Sequence, residues 1–201
     1  PVLDVAHARV LQVLVPGLTV TSTQNEAITT ARIRGIGTVG DNVGLESSVG
    51  VVIDGVYRPR NSVGFGDLGQ LERIEVLKGP QGTLFGRNSA AGAVSIITKR
   101  PTDNVEGRVK LRLGNYDKRY LEGMFNTPVG ANAAFRLNAL VNRSDGWLQD
   151  AATGENLNGD DNWATRAAFR WDVGDNTQML LSWDHEKLDQ KSRPSIGIVD
   201  L

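Results

Sequence analysis

Residues 71–101 read LERIEVLKGPQGTLFGRNSAAGAVSIITKRP and contain the strongest structural signal in this 201-residue chain. The stretch opens with a run of charged residues alternating with Ile74 and Val76, and it closes on a β-branched, apolar run over 93–98. Both runs predict strands. Between them the residues that exclude a long helix and permit close turns are Gly79, Pro80, Gly82, Gly86 and Gly92. The sequence therefore predicts strand, glycine-rich turn, strand.

The composition excludes several classes of protein. Lys and Arg total 22 against 23 Asp and Glu, so no basic footprint for nucleic acid is present and no nucleic-acid partner is expected. The chain has no cysteine, which excludes disulfides and thiolate metal sites. No run approaches the roughly 18 apolar residues of a membrane-spanning helix. The 23 glycines are typical of a chain with many turns.

Residues 1–104 are predicted to form a compact mixed α+β unit. Asp4 can cap a short amphipathic helix that Pro16-Gly17 ends. The apolar residues spaced for its buried face are Val5, Val10, Leu11, Leu14 and Val15. Strands are predicted at 18–22, 31–36, 50–56, 73–77 and 93–98, with long loops at 37–48 and 57–69.

After Pro101 the pattern changes to strict alternation. Val109, Leu111 and Leu113 alternate with charged residues, and the same period of two returns around 119–127, 135–142, 163–171 and 178–184. This predicts about five strands, each about as long as the 9–11 residues that cross a bilayer. A charge facing lipid costs roughly 2–4 kcal/mol, so we expect these side chains to face a lumen: Arg108, Lys110, Arg112, Arg136, Arg166 and Arg170. An interfacial aromatic girdle is predicted at Trp147, Trp163, Trp171 and Trp183.

The segment 71–101 resembles the plug-domain signature of TonB-dependent outer-membrane receptors. Arg32-Ile33-Arg34-Gly35 and Val51-Val52-Ile53-Asp54-Gly55-Val56 match two further plug motifs of that family. The resemblance implies an α+β plug at 1–104, with a small mixed sheet and short helices, followed at 105–201 by the first antiparallel strands of a transmembrane β-barrel. The plug-signature residues, expected to be structural, are Arg34, Gly35, Asp54, Gly55, Gly79, Pro80, Gly82, Gly86, Arg87 and Gly92.

The resemblance also implies a function. Such receptors are not enzymes; they take up a scarce nutrient, such as a ferric siderophore, across the bacterial outer membrane. The implied partners are TonB, a small-molecule ligand or metal chelate, and outer-membrane lipid. No TonB box is recognisable in the sequence, so we expect the coupling element to lie outside it. Even the smallest barrels need roughly eight strands, and the chain starts at Pro1, so we expect a fragment of a longer protein. The alternative is a plug-like ligand-binding or signalling module without transport.

Two assignments of side chains to functions stay open at this stage. Ligand contacts are predicted at Arg58, Arg60, Asn61 and Phe65, which combine charge, amide and aromatic surface in one stretch, although ordinary loop solvation explains them equally well. The charged strand faces either solvate the lumen wall or hold plug carboxylates, such as Glu72 and Glu75, in breakable ion pairs.

Other motifs do not complete a site. Residues 35–40 satisfy G-x-G-x-x-G, but too few residues follow for the crossover helix of a dinucleotide fold. Residues 79–86 lack the Gly-Lys-Ser/Thr ending of a phosphate-binding loop. The two histidines, His7 and His185, have no motif that completes a metal site, and the acidic loop 150–161 does not fit an EF-hand, which leaves weak calcium binding as the alternative to a solvated loop. No catalytic residue, cofactor or resident metal is predicted.

Overall fold

The computed structural model describes residues 8–22, 29–37, 47–58, 69–150 and 153–190. Its strands form two groups: small sheets from the N-terminal half, and one antiparallel sheet of five long strands from the C-terminal half. None of the described helices has the length and apolar character needed to cross a membrane. The α+β unit followed by antiparallel strands confirms the predicted fold class.

The N-terminal half begins with a short helix and a two-stranded sheet. Helix α1 (Ala8–Leu14) precedes β1 (Leu18–Ser22), which pairs antiparallel with β2 (Thr29–Ile33). Gly17 adopts a φ of 81° between α1 and β1, so Pro16-Gly17 ends the helix as predicted.

One prediction for this helix is wrong. Leu14 is 47% exposed, although the apolar spacing placed it on the buried face. The helix is only two turns long, and Leu11 with Val15 one turn later already makes its contact with the core. Asp4, Val5 and the Val10 side chain lie outside the described residues.

A mixed four-stranded sheet forms the centre of this half. Its strands are β3 (Val49–Ile53), β4 (Val56–Arg58), β5 (Leu71–Lys78) and β6 (Gly92–Thr98), in the order β4-β3-β6-β5. Strands β3 and β6 are parallel, and the two edge strands are antiparallel to their neighbours. The short helix α2 (Gly82–Phe85) lies between β5 and β6. The core residues shared by α1 and these sheets are Leu11, Leu18, Val20, Ala31, Ile33, Val49, Val51, Ile53, Ala91, Val94 and Ile96.

Two turns explain why the motif residues are needed. Asp54 and Gly55 have φ values of 48° and 84°, which makes the β3–β4 connection a two-residue hairpin turn that favours Asp-Gly. Gly92 has a φ of 148°, and a Cβ on it would lie 2.3 Å from the carbonyl oxygen of Leu77 and 2.6 Å from the Ile33 side chain. Strand β6 can therefore pair closely with β5 only because position 92 has no side chain.

The C-terminal half forms the predicted five long strands. They are β7 (Glu106–Gly114), β8 (Lys118–Pro128), β9 (Ala133–Ser144), β12 (Asp160–Asp172) and β13 (Gln178–Gln190), in the order β13-β12-β9-β8-β7. Every neighbouring pair is antiparallel. A small hairpin of β10 (Leu148–Gln149) and β11 (Asn156–Leu157), which the sequence did not predict, lies within the long connection between β9 and β12.

The five-stranded sheet has an apolar outer face and a polar inner face, as the alternation predicted. Val109, Leu111 and Leu113 of β7 are 62–76% exposed on the outer face, whereas Arg136 and Arg166 on the inner face are buried. Trp163 and Trp171 stand eight residues apart on the outer face of β12, or roughly 26 Å along the strand. This separation is close to the height of roughly 25 Å for a lipid-facing band flanked by aromatic girdles.

Candidate functional site

The candidate site is the contact between the inner face of the five-stranded sheet, here called the wall, and the N-terminal half. Arg166 of β12 is the centre of this contact, with its side chain 6% exposed. Its Nη2 donates to Oδ2 of Asp54 at 2.5 Å and to Oγ1 of Thr98 at 3.2 Å. Its Nη1 donates to Oδ1 of Asp184 at 2.9 Å. One guanidinium therefore joins both halves of the chain.

The carboxylate of Asp54 is also held in place by bonds within its own half of the chain. Asp54 occupies the left-handed region in the β3–β4 turn, a conformation that Asp tolerates better than most residues. Its Oδ1 accepts the backbone N–H of Thr98 at 2.8 Å, and its Oδ2 accepts the Thr98 hydroxyl at 2.7 Å. These bonds hold the turn against the end of β6. They leave Oδ2 facing the wall, where it also accepts the hydrogen bond from Arg166.

A second contact extends this arrangement to the other strand of the hairpin. Nη2 of Arg58 on β4 lies 3.5 Å from Oδ2 of Asp184 on β13. Arg166 and Asp184 are direct cross-strand partners in the wall. We call Asp54, Arg58, Arg166 and Asp184 the hairpin network. Each contact in it joins an acidic to a basic side chain: Asp54 to Arg166, Arg166 to Asp184, and Asp184 to Arg58.

The segment that joins the two halves is also held against the wall. Asn126 of β8, fully buried, accepts the N–H of Thr102 at 3.0 Å and donates to the carbonyl oxygens of Thr102 and Asn104 at 2.9 and 2.6 Å. Arg136 of β9, also fully buried, donates to Gln70 and lies 3.6 Å from Glu106. The bonds of Asn126 satisfy three backbone groups of the connecting segment, whereas those of Arg136 go to side chains outside it.

Two further strands contribute to the same anchoring. Arg170 of β12 donates to the carbonyl oxygen of Pro101 at 3.1 Å and to the Asp103 carboxylate. Arg100 donates to Gln178 of β13 at 3.4 Å. The connecting segment, here called the strap, therefore lies along the wall, and side chains from β8, β12 and β13 hold it.

The backbone of Gly69 lies directly against the side chain of Asn138. Gly69 has a φ of 73°, and a Cβ on it would lie 2.8 Å from both Cβ and Cγ of Asn138. The chain ahead of β5 can therefore lie directly against β9 only with glycine at position 69.

Another part of the wall presents a polar surface around Tyr120. The guanidinium of Arg112 lies 4.9 Å from the ring centroid of Tyr120, whose hydroxyl donates to Glu122 at 3.0 Å. Asn138 and Asn142 of β9 each have a buried Oδ1 with no hydrogen-bond partner in the structure. These side chains make this part of the wall polar, and the ring of Tyr120 and the amide of Asn138 are buried within it.

The sequence left open whether the plug carboxylates Glu72 and Glu75 pair with arginines of the wall, and in the structure they do not. Glu72 and Glu75 pair with Arg73 of the same strand at 2.8 and 2.7 Å, and not with wall arginines. The hydrogen bond that Arg73 donates to Glu75 raises the pKa of Arg73, so this cation stays charged. Strand β5 is the opposite edge of the sheet from β4, so the carboxylate that meets the wall is Asp54.

Of the predicted ligand residues, Arg58 is half-buried against the wall, whereas Arg60, Asn61 and Phe65 lie outside the described residues. The signature residues with positive φ lie at turns and bends, and they are Arg34, Gly35, Asp54, Gly55, Gly79, Gly86 and Gly92. Gly82 is the first residue of α2, and Pro80 and Arg87 lie on either side of this helix.

His185 lies on the outer face, with its ring centroid 5.0 Å from that of Trp163, and His7 lies outside the described residues. Across the described ranges, which include most of the acidic loop, no group of three or more His, Cys, Asp or Glu side chains could hold a metal ion.

Sequence reasoning missed Thr98, Asn126 and Asp184. The alternation did place Asn126 and Asp184 on the charged side of their strands. The alternation did not show which groups of the N-terminal half Asn126 and Asp184 would contact.

Comparison with known proteins agrees with this architecture. Residues 5–93 match the family model described as the TonB-dependent Receptor Plug Domain. The metal-pseudopaline receptor CntO of Pseudomonas aeruginosa is 30% identical over 117 residues, which is 57% of this chain and 16% of that receptor. The pesticin receptor of Yersinia pestis is 27% identical over 157 residues, which is 78% of this chain and 22% of that receptor.

Solved structures show the same fold. The ferric yersiniabactin uptake receptor FyuA from Yersinia pestis superposes with a TM-score of 0.78 at 24% identity, covering 88% of this chain and 28% of that one. The pyoverdine outer membrane receptor FpvA from Pseudomonas aeruginosa superposes with a TM-score of 0.65 at 23% identity, covering 85% of this chain and 23% of that one. The chain thus spans less than a third of the length of these relatives.

Proposed function

We propose, from the premise that this chain belongs to the TonB-dependent outer-membrane receptors, that it serves the energy-dependent uptake of a metal chelate of the siderophore class. Members of this family are outer-membrane proteins, and the relatives named above are receptors and not enzymes. Family membership is the premise, and we propose the uptake activity, its ligand class and its dependence on TonB.

The observation that carries the proposal is the contact of Arg166 with Asp54. It brings the mixed sheet of the N-terminal half against the polar face of strands whose other face is apolar. In a complete barrel such a unit would close the pore. We propose that energy supplied through TonB opens it. We propose accordingly that residues 1–104 are the plug and 105–201 the first barrel strands.

The ligand class is supported by the names of the relatives. They include receptors for metal-pseudopaline and for ferrioxamine, both metal chelates. A chelate of this kind carries many oxygen atoms that accept hydrogen bonds, and the half-buried cations Lys110 and Arg112 on the inner face of the wall offer N–H donors to them. The metal ion is cargo in this proposal.

Ligand contacts are proposed at Arg58, Arg60, Asn61 and Phe65. Replacing Arg58 by Ala would also remove its contact with Asp184, so a weaker affinity in that variant has two explanations. Arg60→Ala and Phe65→Ala are therefore the sharper variants. We expect each to weaken chelate binding without loosening the plug, and unchanged affinity in both would reject the assignment.

The test is uptake of radiolabelled iron chelates by cells that carry the complete gene. Hydroxamate, phenolate and catecholate chelates would be supplied in turn to a strain with TonB, to one without it, and to energised cells treated with a protonophore. We expect one class to accumulate only when TonB and the proton gradient are both present. Accumulation that persists without TonB would contradict the proposal, and binding without accumulation would support the module without transport.

A further inference from the structure

The hairpin network takes two opposite charges from each half of the chain. Asp54 lies in the turn between β3 and β4 and Arg58 at the end of β4, and Arg166 and Asp184 face each other across β12 and β13. Each charge of the hairpin contacts a wall charge of the opposite sign, and the two wall charges contact each other. The network is therefore neutral as a whole and complementary across the contact.

Arg166 is the member on which the others depend. Its side chain is 6% exposed, against 18% for Asp54 and 33% for Asp184. Ion pairs at buried sites are screened less by water and salt than surface pairs. Without the guanidinium, two carboxylates of like charge would remain near each other in a partly buried site, so an attraction would become a repulsion.

The hairpin contact differs in kind from that of the connecting segment. Asn126 holds the backbone of a segment that is covalently continuous with β7, so this strap cannot move far from the wall. The hairpin network consists only of side chains, and Arg166 lies 112 positions from Asp54. It can therefore open while the strap stays in place.

We propose that the hairpin network is a latch that holds the β3–β4 hairpin of the plug on the wall in the closed state, with Arg166 as its positioning residue. The latch extends the proposed uptake function and rests on it, because only in a transporter does the plug have to move away from the wall. When the plug moves, Arg166 must leave both Asp54 and Asp184, whereas the contacts of Asn126 remain. The closed position of this hairpin is then a property of four named side chains, whereas Arg136 and Gln70 make a separate contact between the two halves.

The test is the ion conductance of the complete purified receptor in planar lipid bilayers, without ligand and without TonB. Arg166→Met and Asp54→Asn should each raise the open probability about tenfold or more. Asp54→Asn keeps an oxygen to accept the Thr98 N–H and tolerates the left-handed turn, so this variant retains the hairpin fold. The double variant should be no leakier than the leakier single one, because both changes remove one contact.

Arg143→Met is the matched control. Arg143 forms an exposed pair with Asp161 between β9 and β12, on the outer face of the same sheet. We expect it to leave the conductance at the wild-type level and to add nothing to Asp54→Asn. A wild-type conductance in Arg166→Met, or fully additive effects of Arg166→Met and Asp54→Asn, would overturn the latch.

Arg166→Lys separates a charge role from packing. A single ammonium cannot bind both carboxylates as the guanidinium fork does, but it keeps the positive charge. We expect an intermediate conductance, and a leak equal to that of Arg166→Met would contradict the proposal. The conductance measurement requires neither ligand nor energy, so it tests the latch alone. The proposed function is tested separately, and uptake that does not need TonB would contradict it.

Discussion

Arg166 on the wall and Asp54 in the β3–β4 turn meet at 2.5 Å across 112 positions of sequence, and Thr98 and Asp184 complete the bonding of the pair. The contact links the plug motif Asp54-Gly55 to the alternating strands, two features that look unrelated in the sequence. It gives the motif aspartate a role beyond its turn, because the same carboxylate closes the hairpin and binds the wall.

Asn126→Ala should loosen the strap between plug and barrel. The fully buried amide makes hydrogen bonds with Thr102 and Asn104, and its loss leaves their backbone groups without partners. We expect a loss of about 3 kcal/mol in the free energy of unfolding. Thermal unfolding of the complete receptor in detergent measures it. Asn115→Ala, in the exposed β7–β8 turn, is the control and should have a negligible effect.

Gly69→Ala should push the plug away from β9. The new Cβ would lie 2.8 Å from Asn138 and would add to the strain of a φ of 73°. We expect the proteolysis of the plug in the complete receptor to become faster. The destabilisation should be about 2–4 kcal/mol, from backbone strain and overpacking together.

The control for this change separates its two causes. Gly130 has a φ of 69°, and a Cβ on it would meet nothing within 4 Å, so Gly130→Ala carries the backbone strain alone. It should cost about 1–2 kcal/mol. Equal effects of Gly69→Ala and Gly130→Ala would show that the close approach to Asn138 does not matter.

Gly92→Ala should prevent β6 from pairing with β5. A Cβ at this position would lie 2.3 Å from the Leu77 carbonyl oxygen, and a backbone oxygen inside a sheet cannot move aside. We expect a destabilisation of more than about 4 kcal/mol, seen as a loss of protease-resistant plug. Gly107→Ala on β7 meets nothing within 4 Å and should leave the plug resistant. A protease-resistant plug in the Gly92 variant would contradict this close packing of β6 on β5.

A charge on the outer face should be costly in proportion to its depth. Phe125 lies on the outer face of β8, in register with Ala167, which is midway between Trp163 and Trp171. Phe125→Lys should therefore destabilise the receptor by roughly 2–4 kcal/mol. Leu113 lies beside Arg119, where outward charges already occur, and Leu113→Lys should cost roughly 0–1 kcal/mol. Unfolding in lipid vesicles measures both, and similar costs at the two positions would refute a lipid-facing band.

The local structure was accessible from the sequence. Side-chain alternation within a few residues decides which side of a strand faces lipid, so five strands and the inward direction of Arg136, Arg166 and Arg170 could be predicted. Asp-Gly and Pro-Gly pairs set the turns, because left-handed backbone favours those residues. The prediction that Leu14 is buried was wrong, because helical spacing does not show how much core surface lies opposite a two-turn helix.

The partners across the contact were decided only by the tertiary structure. Glu72 and Glu75 were as good candidates as Asp54 for the wall arginines, and all three are carboxylates at strand ends or edges. The choice depends on which edge of the mixed sheet turns toward β12, and that is a property of how two distant sheets pack. Alternation and turn chemistry act over a few residues, whereas the meeting of Arg166 with Asp54 requires the position and orientation of every strand between them.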